Sequence, residues 1–177
     1  MSDAVKKRAV AKVDAMAQKI GYPTANPNVA EVNAYHIYEQ NEIVFPAGIM
    51  QSPFFGLGYP EYVNYGSWGM LASHEISHGF DNLGRHYDES GNKVEWWDNA
   101  TIVDFEKRAQ CFIDQYDQYQ IINSDGKAEN ITGISTQAET IADAGGVSSS
   151  PTGDLSMGIN LTDLAAARNI VPSMEKA

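Results

Sequence analysis

Apolar residues recur at three- and four-residue intervals through the first twenty positions of the chain. This spacing predicts an amphipathic helix, and Gly21, Tyr22 and Pro23 form a sequence at which such a helix ends. A loop containing Asn26-Pro27-Asn28 follows. We expect the apolar face to pack on the core of the domain rather than to bind a partner; its residues are Val5, Ala9, Val13, Met16, Ala17 and Ile20.

Two short segments rich in β-branched and aromatic residues come next, residues 32–38 and 42–46. The polar residues 39–41 separate them, so the pattern predicts a β-hairpin, with Pro46 suited to a strand end or an edge. The edge of such a hairpin could pair with an extended peptide through main-chain hydrogen bonds. A purely structural sheet explains the pattern equally well.

The rest of the chain is mainly helical in pattern. Residues 67–79 predict a buried helix, Asp98 is a suitable N-cap for a helix extending to Tyr116, and residues 136–143 predict a short helix ending at Gly145-Gly146. Residues 119–132 are expected to form a polar loop. The fold class predicted is α+β, mainly α, in three parts: a helix and loop (1–31), a core (32–147) and a weakly organised tail (148–177).

Composition narrows the class of protein. The chain has 177 residues, of which 43% are hydrophobic, and a net charge of −11, which together predict a soluble acidic domain without a nucleic-acid partner. No apolar run approaches membrane-spanning length, and no apolar segment of a signal peptide follows Lys6-Lys7-Arg8. Cys111 is the only cysteine, so no intrachain disulfide can form. Three sequons, at Asn99, Asn130 and Asn160, slightly favour a secreted origin.

The candidate metal-binding and catalytic residues lie in the stretch His74-Glu75-Ile76-Ser77-His78. Residues four apart lie on one face of a helix, so His74 and His78 can direct two imidazole nitrogens at one cation, such as Zn²⁺. Glu75 lies beside them, where its carboxylate could act as general base towards a metal-activated water. This H-E-x-x-H pattern is that of zinc metalloproteases. A chance occurrence of two hydrogen-bonded histidines is the alternative.

A third ligand separates the zincin classes. In the longer pattern H-E-x-x-H-x-x-G-x-x-H it is a histidine, but Gly84 occupies that position here and His86 is two residues too far along. A glutamate on a separate helix is the other solution, and Glu139 fits it. Asp143, four residues after Glu139, and Asp81, three after His78, could hydrogen-bond the ligand histidines. A solvated helix carboxylate remains the alternative for Glu139.

These residues carry a family resemblance. The sequence resembles the C-terminal catalytic half of the neprilysin and endothelin-converting-enzyme family of zinc endopeptidases from about Val32 to Val147, in order and spacing as well as in identity. The matching stretches are residues 32–35 (Val-Asn-Ala-Tyr), 41–49 (Asn-Glu-Ile-Val-Phe-Pro-Ala-Gly-Ile), 74–81 (His-Glu-Ile-Ser-His-Gly-Phe-Asp), 96–97 (Trp-Trp) and 139–146 (Glu-Thr-Ile-Ala-Asp-Ala-Gly-Gly).

The resemblance implies a thermolysin-like zincin core with a small hairpin beside the zinc helix, acting on peptide substrates. It implies one zinc ion bound by His74, His78 and Glu139, with Glu75 as catalytic base. Asp81 and Asp143 would be the hydrogen-bond partners of the two histidines, and Asn33 and Ala34 would bind the substrate main chain. Together with the sequons, the resemblance suggests an extracellular or membrane-anchored ectodomain.

The chain also departs from this family. His36 stands where the family has a tyrosine, the segment between Pro23 and Val32 is short, and no histidine follows His86. The family supplies a histidine and an arginine after Gly146, but no histidine follows here and Arg168 lies in no recognisable family context. The large N-terminal helical domain of the family is also not found. We therefore expect a truncated member, and the alternative function is a zinc-binding fragment with little or no activity. Cys111 would be one half of a disulfide to a missing segment; an inert buried thiol is the alternative.

Overall fold

A computed structural model describes residues 1–21 and 28–149, and the predicted tail lies almost entirely outside them. The first element is helix α1, Asp3–Asp14, whose N-cap Ser2 accepts a hydrogen bond from Val5. Val5, Ala9, Val13 and Met16 are buried, which confirms that this part of the apolar face packs on the core. Ala17 and Ile20 are exposed, so the prediction is wrong for them. The predicted extent of this helix is wrong, because it ends at Asp14 and the following residues form a strand.

That strand belongs to a three-stranded sheet. Strand β1 (Ala17–Gly21) pairs in parallel with β3 (Glu42–Pro46), and β2 (Tyr35–Ile37) pairs antiparallel with the other side of β3. The predicted hairpin of β2 and β3 is confirmed, with β2 beginning at Tyr35 rather than at residue 32. Asn41 makes the turn with a positive φ of 45°. β2 is therefore an edge strand and β3 is central, with all its residues buried.

The motif lies at the end of a continuous helical segment. Helix α2 (Glu61–Asn64) leads through a π-helical turn, Tyr65–Gly69, into helix α3 (Met70–His78). Helix α3 is placed between two apolar clusters. One lies under the sheet and includes Phe45, Trp68 and Ala72, and the other joins α1 to α4 through Phe80, Trp97 and Phe105. The motif is thus held on both sides by packed core.

Helix α4 (Asn99–Tyr116) begins as predicted, because Asp98 Oδ1 accepts a hydrogen bond from the Thr101 N–H at 2.8 Å. The polar loop predicted after it is wrong, since strands β4 (Gln120–Ile122) and β5 (Ala128–Asn130) form an exposed hairpin. Cys111 is exposed on α4, which removes the buried-thiol alternative. Within the described residues, no helix is both long and apolar enough to cross a membrane.

Helix α5 (Gly133–Ser149) is longer than predicted and continues through Gly145 and Gly146. These glycines permit a close approach to α3. A Cβ atom at Gly145 would lie 2.1 Å from Ser77 Oγ, and one at Gly146 would lie 2.9 Å from the Met70 carbonyl oxygen. This close approach brings α5 alongside the motif histidines of α3. The α+β, mainly helical fold class is confirmed.

Candidate metal centre and active site

Three side chains from two helices converge at one point. His74 and His78 lie one turn apart on α3, with their Nε2 atoms 3.0 Å from each other. Glu139 of α5 places its Oε2 atom 3.4 Å from His74 Nε2 and 3.6 Å from His78 Nε2. Among the described residues, these three donors are the group placed to share a metal ion. The two donor helices are joined by the glycine contact between α3 and α5.

Carboxylates orient both imidazoles. Asp143, one turn after Glu139 on α5, lies 2.9 Å from His74 Nδ1, and Asp81 lies 2.7 Å from His78 Nδ1. Asp81 is fully buried and accepts further hydrogen bonds from the N–H groups of Leu83 and Gly84. Such a partner fixes the ring orientation and the tautomer of a metal-binding histidine.

This arrangement fits a cation. A carboxylate accepts the Nδ1–H of each ring, so the Nε2 atom of each neutral imidazole presents a lone pair. Two such nitrogens and a carboxylate oxygen of Glu139 then lie within 3.6 Å of one another. Three acceptor atoms so close together repel unless a shared proton or a metal ion lies between them. Two imidazoles and a carboxylate are a donor set that suits zinc.

Glu75 lies on the buried side of the same helix turn, with 5% of its surface exposed. Burial raises the pKa of Glu75 to about 7; the charge of Glu139 adds to the effect and that of His78 opposes it. The main chain of Glu75 is linked to strand β2, because His36 Nδ1 donates a hydrogen bond to the Glu75 carbonyl oxygen at 2.7 Å. Burial also lowers the pKa of His36 to about 4, so this ring stays neutral.

The other candidate histidine lies elsewhere. His86 is the last residue of a short 3₁₀ turn, Gly84–His86, and its Nδ1 atom is 3.4 Å from Glu95. Its neighbour Arg85 pairs with the same carboxylate and lies over the rings of Trp97 and Phe105. Neither residue contributes to the three-donor cluster, in agreement with the spacing argument against His86.

Comparison with known proteins identifies the family. The model of "Peptidase family M13" matches residues 33–151, which is more than half of the chain. The chain belongs to peptidase family M13. It is 47% identical to an endothelin-converting enzyme homolog of Locusta migratoria over 66% of this chain and 15% of that protein. It is 46% identical to neprilysin-1 of Caenorhabditis elegans over 68% of this chain and 16% of that protein.

A solved zinc metalloprotease structure agrees with the fold. The zinc metalloprotease Zmp1 of Mycobacterium tuberculosis, in complex with an inhibitor, superposes with a TM-score of 0.77 at 31% identity. The alignment covers 84% of this chain and 29% of that chain. The chain thus spans less than a third of this relative and about a sixth of the two curated relatives.

The remaining predicted site residues are Asn33 and Ala34, which lie within the stretch matched by the M13 model. Asn33 and Ala34 directly precede the edge strand β2, which packs against α3. Asn33 is exposed, and Ala34 is half-buried against the apolar cluster that includes Phe45, Trp68 and Ala72. Their role in binding a substrate main chain stays a prediction.

Several residues that support this candidate site are not predicted from the sequence. In the sequence His36 is a departure from the family with no assigned contact, and no pattern points to Tyr38, whose hydroxyl donates to Asp81 at 3.1 Å. Lys12 is fully buried and contacts the segment that follows α3. Its signal was present in the sequence, because Lys12 lies three residues after Ala9 on the otherwise apolar face of α1.

Proposed function

We propose that this chain carries the catalytic core of a zinc-dependent metalloendopeptidase, with one zinc ion held by His74, His78 and Glu139. The observation that supports it most strongly is the convergence of three lone-pair atoms within 3.6 Å, with both imidazoles oriented by carboxylates. Membership of peptidase family M13 supports the same reaction class. Zinc, when bound there, supplies Lewis-acid chemistry: it lowers the pKa of water and polarises a carbonyl group.

In this proposal Glu75 moves the proton. It lies one residue from His74, in a buried position that keeps its pKa close to neutral pH. A base with such a pKa can accept a proton from the attacking water and return it to the leaving amine. His36 contributes by fixing the main chain of Glu75, since it satisfies a carbonyl group in the last turn of α3 that has no helical partner.

The substrate would be a peptide in extended conformation. Strand β2 is at the edge of the sheet, and an edge strand presents main-chain N–H and C=O groups that a further strand can pair with. Asn33 and Ala34, immediately before β2, would hold the substrate main chain beside the motif helix. No nucleic-acid partner is proposed, given a net charge of −11.

A peptide-cleavage assay on zinc-loaded protein tests this function. Glu75→Gln keeps the size of the side chain but cannot take a proton, so we expect kcat to fall by about 10²–10⁴ while the zinc content stays unchanged. His86→Ala is the matched control, because His86 lies outside the three-donor cluster. Activity that survives Glu75→Gln would refute the assignment of the base.

A zinc-binding fragment of low activity is the second candidate. Its support is the openness of the site, as the side chains of Glu139 and Asp143 are 67% and 55% exposed. Water screens charges that a closed cavity would concentrate, and loss of one oxyanion donor typically costs about 10²–10³ in kcat. A turnover number within about tenfold of a complete relative's, a barrier difference of about 1.4 kcal/mol, would rule this candidate out.

An extracellular or membrane-anchored setting is also a proposal. The sequon residues Asn99 and Asn130 are both exposed, at the start of α4 and at the end of β5. They would be accessible to glycosylation. A mass decrease after N-glycosidase treatment of protein from its native source would support this setting, and an unchanged mass would speak against it.

A further inference from the structure

Helix α1 places a charged group inside the domain. Lys12 is 1% exposed, and its Nζ atom lies 2.6 Å from the carbonyl oxygen of Gly79, 2.8 Å from that of Gly84 and 2.7 Å from that of Tyr87. An ammonium group has three donors, so all are used on main-chain acceptors. The cation also lies 5.4 Å from the centre of the Phe80 ring.

The segment that Lys12 binds is the one that holds Asp81. Gly79 and Gly84 flank Asp81 on its two sides, and the Asp81 carboxylate is itself bonded to the N–H groups of Leu83 and Gly84. The remaining oxygen of Asp81 accepts the Nδ1–H of His78. Lys12 therefore fixes, from the opposite side, the short loop whose carboxylate sets the orientation of His78.

We infer that Lys12 is a positioning residue for the metal centre, acting through the loop of residues 79–87 and Asp81 on the imidazole of His78. The inference rests on the proposed function, in which His78 is a metal ligand. It adds a residue from α1, which lies outside the stretch matched by the family model. Without the Nζ atom, three carbonyl groups lose their shared donor and the loop can shift, so that Asp81 no longer meets Nδ1 at 2.7 Å.

A purely structural role for Lys12 predicts a different result. Loss of packing would lower stability but would leave the hydrogen bond between His78 and Asp81 as it is in the molecules that remain folded. A positioning role predicts a change at His78 in folded protein. The two roles are separated by measuring zinc affinity and the state of the His78 ring alongside stability.

The test uses the full chain with Lys12→Met, which keeps the length of the side chain but removes its charge. Val5→Ala, at the other end of α1, is the control for lost core packing. Zinc affinity is measured by competition with a chelator, and the Nδ1–H proton of His78 is followed by NMR in metal-free protein. We expect Lys12→Met to weaken zinc binding about tenfold and to speed exchange of this proton, as loss of outer hydrogen-bond partners does. Val5→Ala should change neither.

A double-mutant cycle with Asp81→Asn tests whether Lys12 acts on His78 through Asp81. If Lys12 acts through Asp81, Lys12→Met should change zinc affinity by less than about twofold in the Asp81→Asn background. Equal losses in both backgrounds, or an unchanged affinity and His78 signal in Lys12→Met, would overturn the inference. If Lys12→Met does not fold, Lys12→Gln, whose amide still donates two hydrogen bonds, is measured against the same criteria.

Failure of the proposed function would look different. If the wild-type chain does not bind zinc, or binds it equally well with His78→Ala, the metal centre is wrong whatever Lys12 does. The exchange rate of the His78 proton needs no metal and still decides the positioning role.

Discussion

At the scale of single residues, each ring nitrogen of His74 and His78 lies close to a polar group. The Nδ1 atoms of His74 and His78 face carboxylates, and their Nε2 atoms face each other and Glu139. Burial lowers the pKa of His78, but the hydrogen bond and the charge of Asp81 outweigh this, so its pKa is raised above the ordinary value. The outer carboxylates are therefore as much a part of the site as the converging donors.

Much of this could be predicted from the sequence, and some could not. His74 and His78 follow from helical spacing, and Glu139, Asp81 and Asp143 follow from the resemblance, because their chemistry lies in short motifs. The contacts of Lys12 with the loop after α3 join residues 67 to 75 positions apart in the chain. No local pattern encodes such a contact, which depends on how α1 packs on the finished fold.

Lys12 should also make stability depend on pH. Burial lowers the pKa of Lys12 to about 8 from about 10.5, with Asp81, Asp88 and Glu89 partly opposing the effect. Between these values the unfolded chain binds the proton and the folded chain does not, so stability rises with pH. The rise is roughly 3 kcal/mol at most. Urea unfolding from pH 8 to 10.5 should show it as the difference between wild type and Lys12→Met, and a difference that is constant across this range would contradict it.

At the scale of elements, the contact between α3 and α5 assembles the site. Two donors lie on α3 and one on α5, and the helices approach closely because Gly145 leaves room for Ser77. The sequence predicts a helix end at Gly145-Gly146, since glycine lowers helix propensity. The structure shows the opposite use, in which the lack of a side chain allows packing and the helix continues to Ser149.

Gly145→Ala should destabilise the protein by roughly 1–3 kcal/mol, because the new methyl group has no space beside Ser77. Helix propensity alone would predict the reverse sign, a gain of about 1 kcal/mol. Gly66→Ala is the matched control, since a Cβ atom there meets nothing within 4 Å. Denaturant unfolding of both variants checks this. A Gly145→Ala variant as stable as Gly66→Ala would show that the helices tolerate a wider separation.

Other elements show where the pattern in the sequence is ambiguous. Residues 17–21 fit the helical period of α1, yet they form β1 because the buried strand β3 offers a parallel partner. The hairpin of β4 and β5 is exposed throughout, so it lacks the alternation of apolar and polar residues that identifies a half-buried strand. Helix α4 was predicted well because its cap, Asp98, is local.

At the scale of the whole molecule, the chain spans only a part of the length of its family relatives. The family assignment and the mainly helical fold agree with what the motifs predict, and the metal centre stays a proposal that rests on the geometry. Two apolar clusters pack against the helix that carries the motif histidines. The side of the site that carries Glu139 and Asp143 is exposed to solvent. This arrangement predicts that metal binding depends on residues of this chain alone.

Zinc affinity of the purified chain tests that central claim most directly. The wild-type protein should bind one zinc ion per chain by metal analysis after equilibrium dialysis. Glu139→Gln should weaken binding strongly, because it replaces an anionic donor by a neutral amide. His86→Ala should leave it unchanged, since His86 pairs with Glu95 away from the cluster. Retention of zinc by Glu139→Gln together with its loss from His86→Ala would contradict the proposed centre.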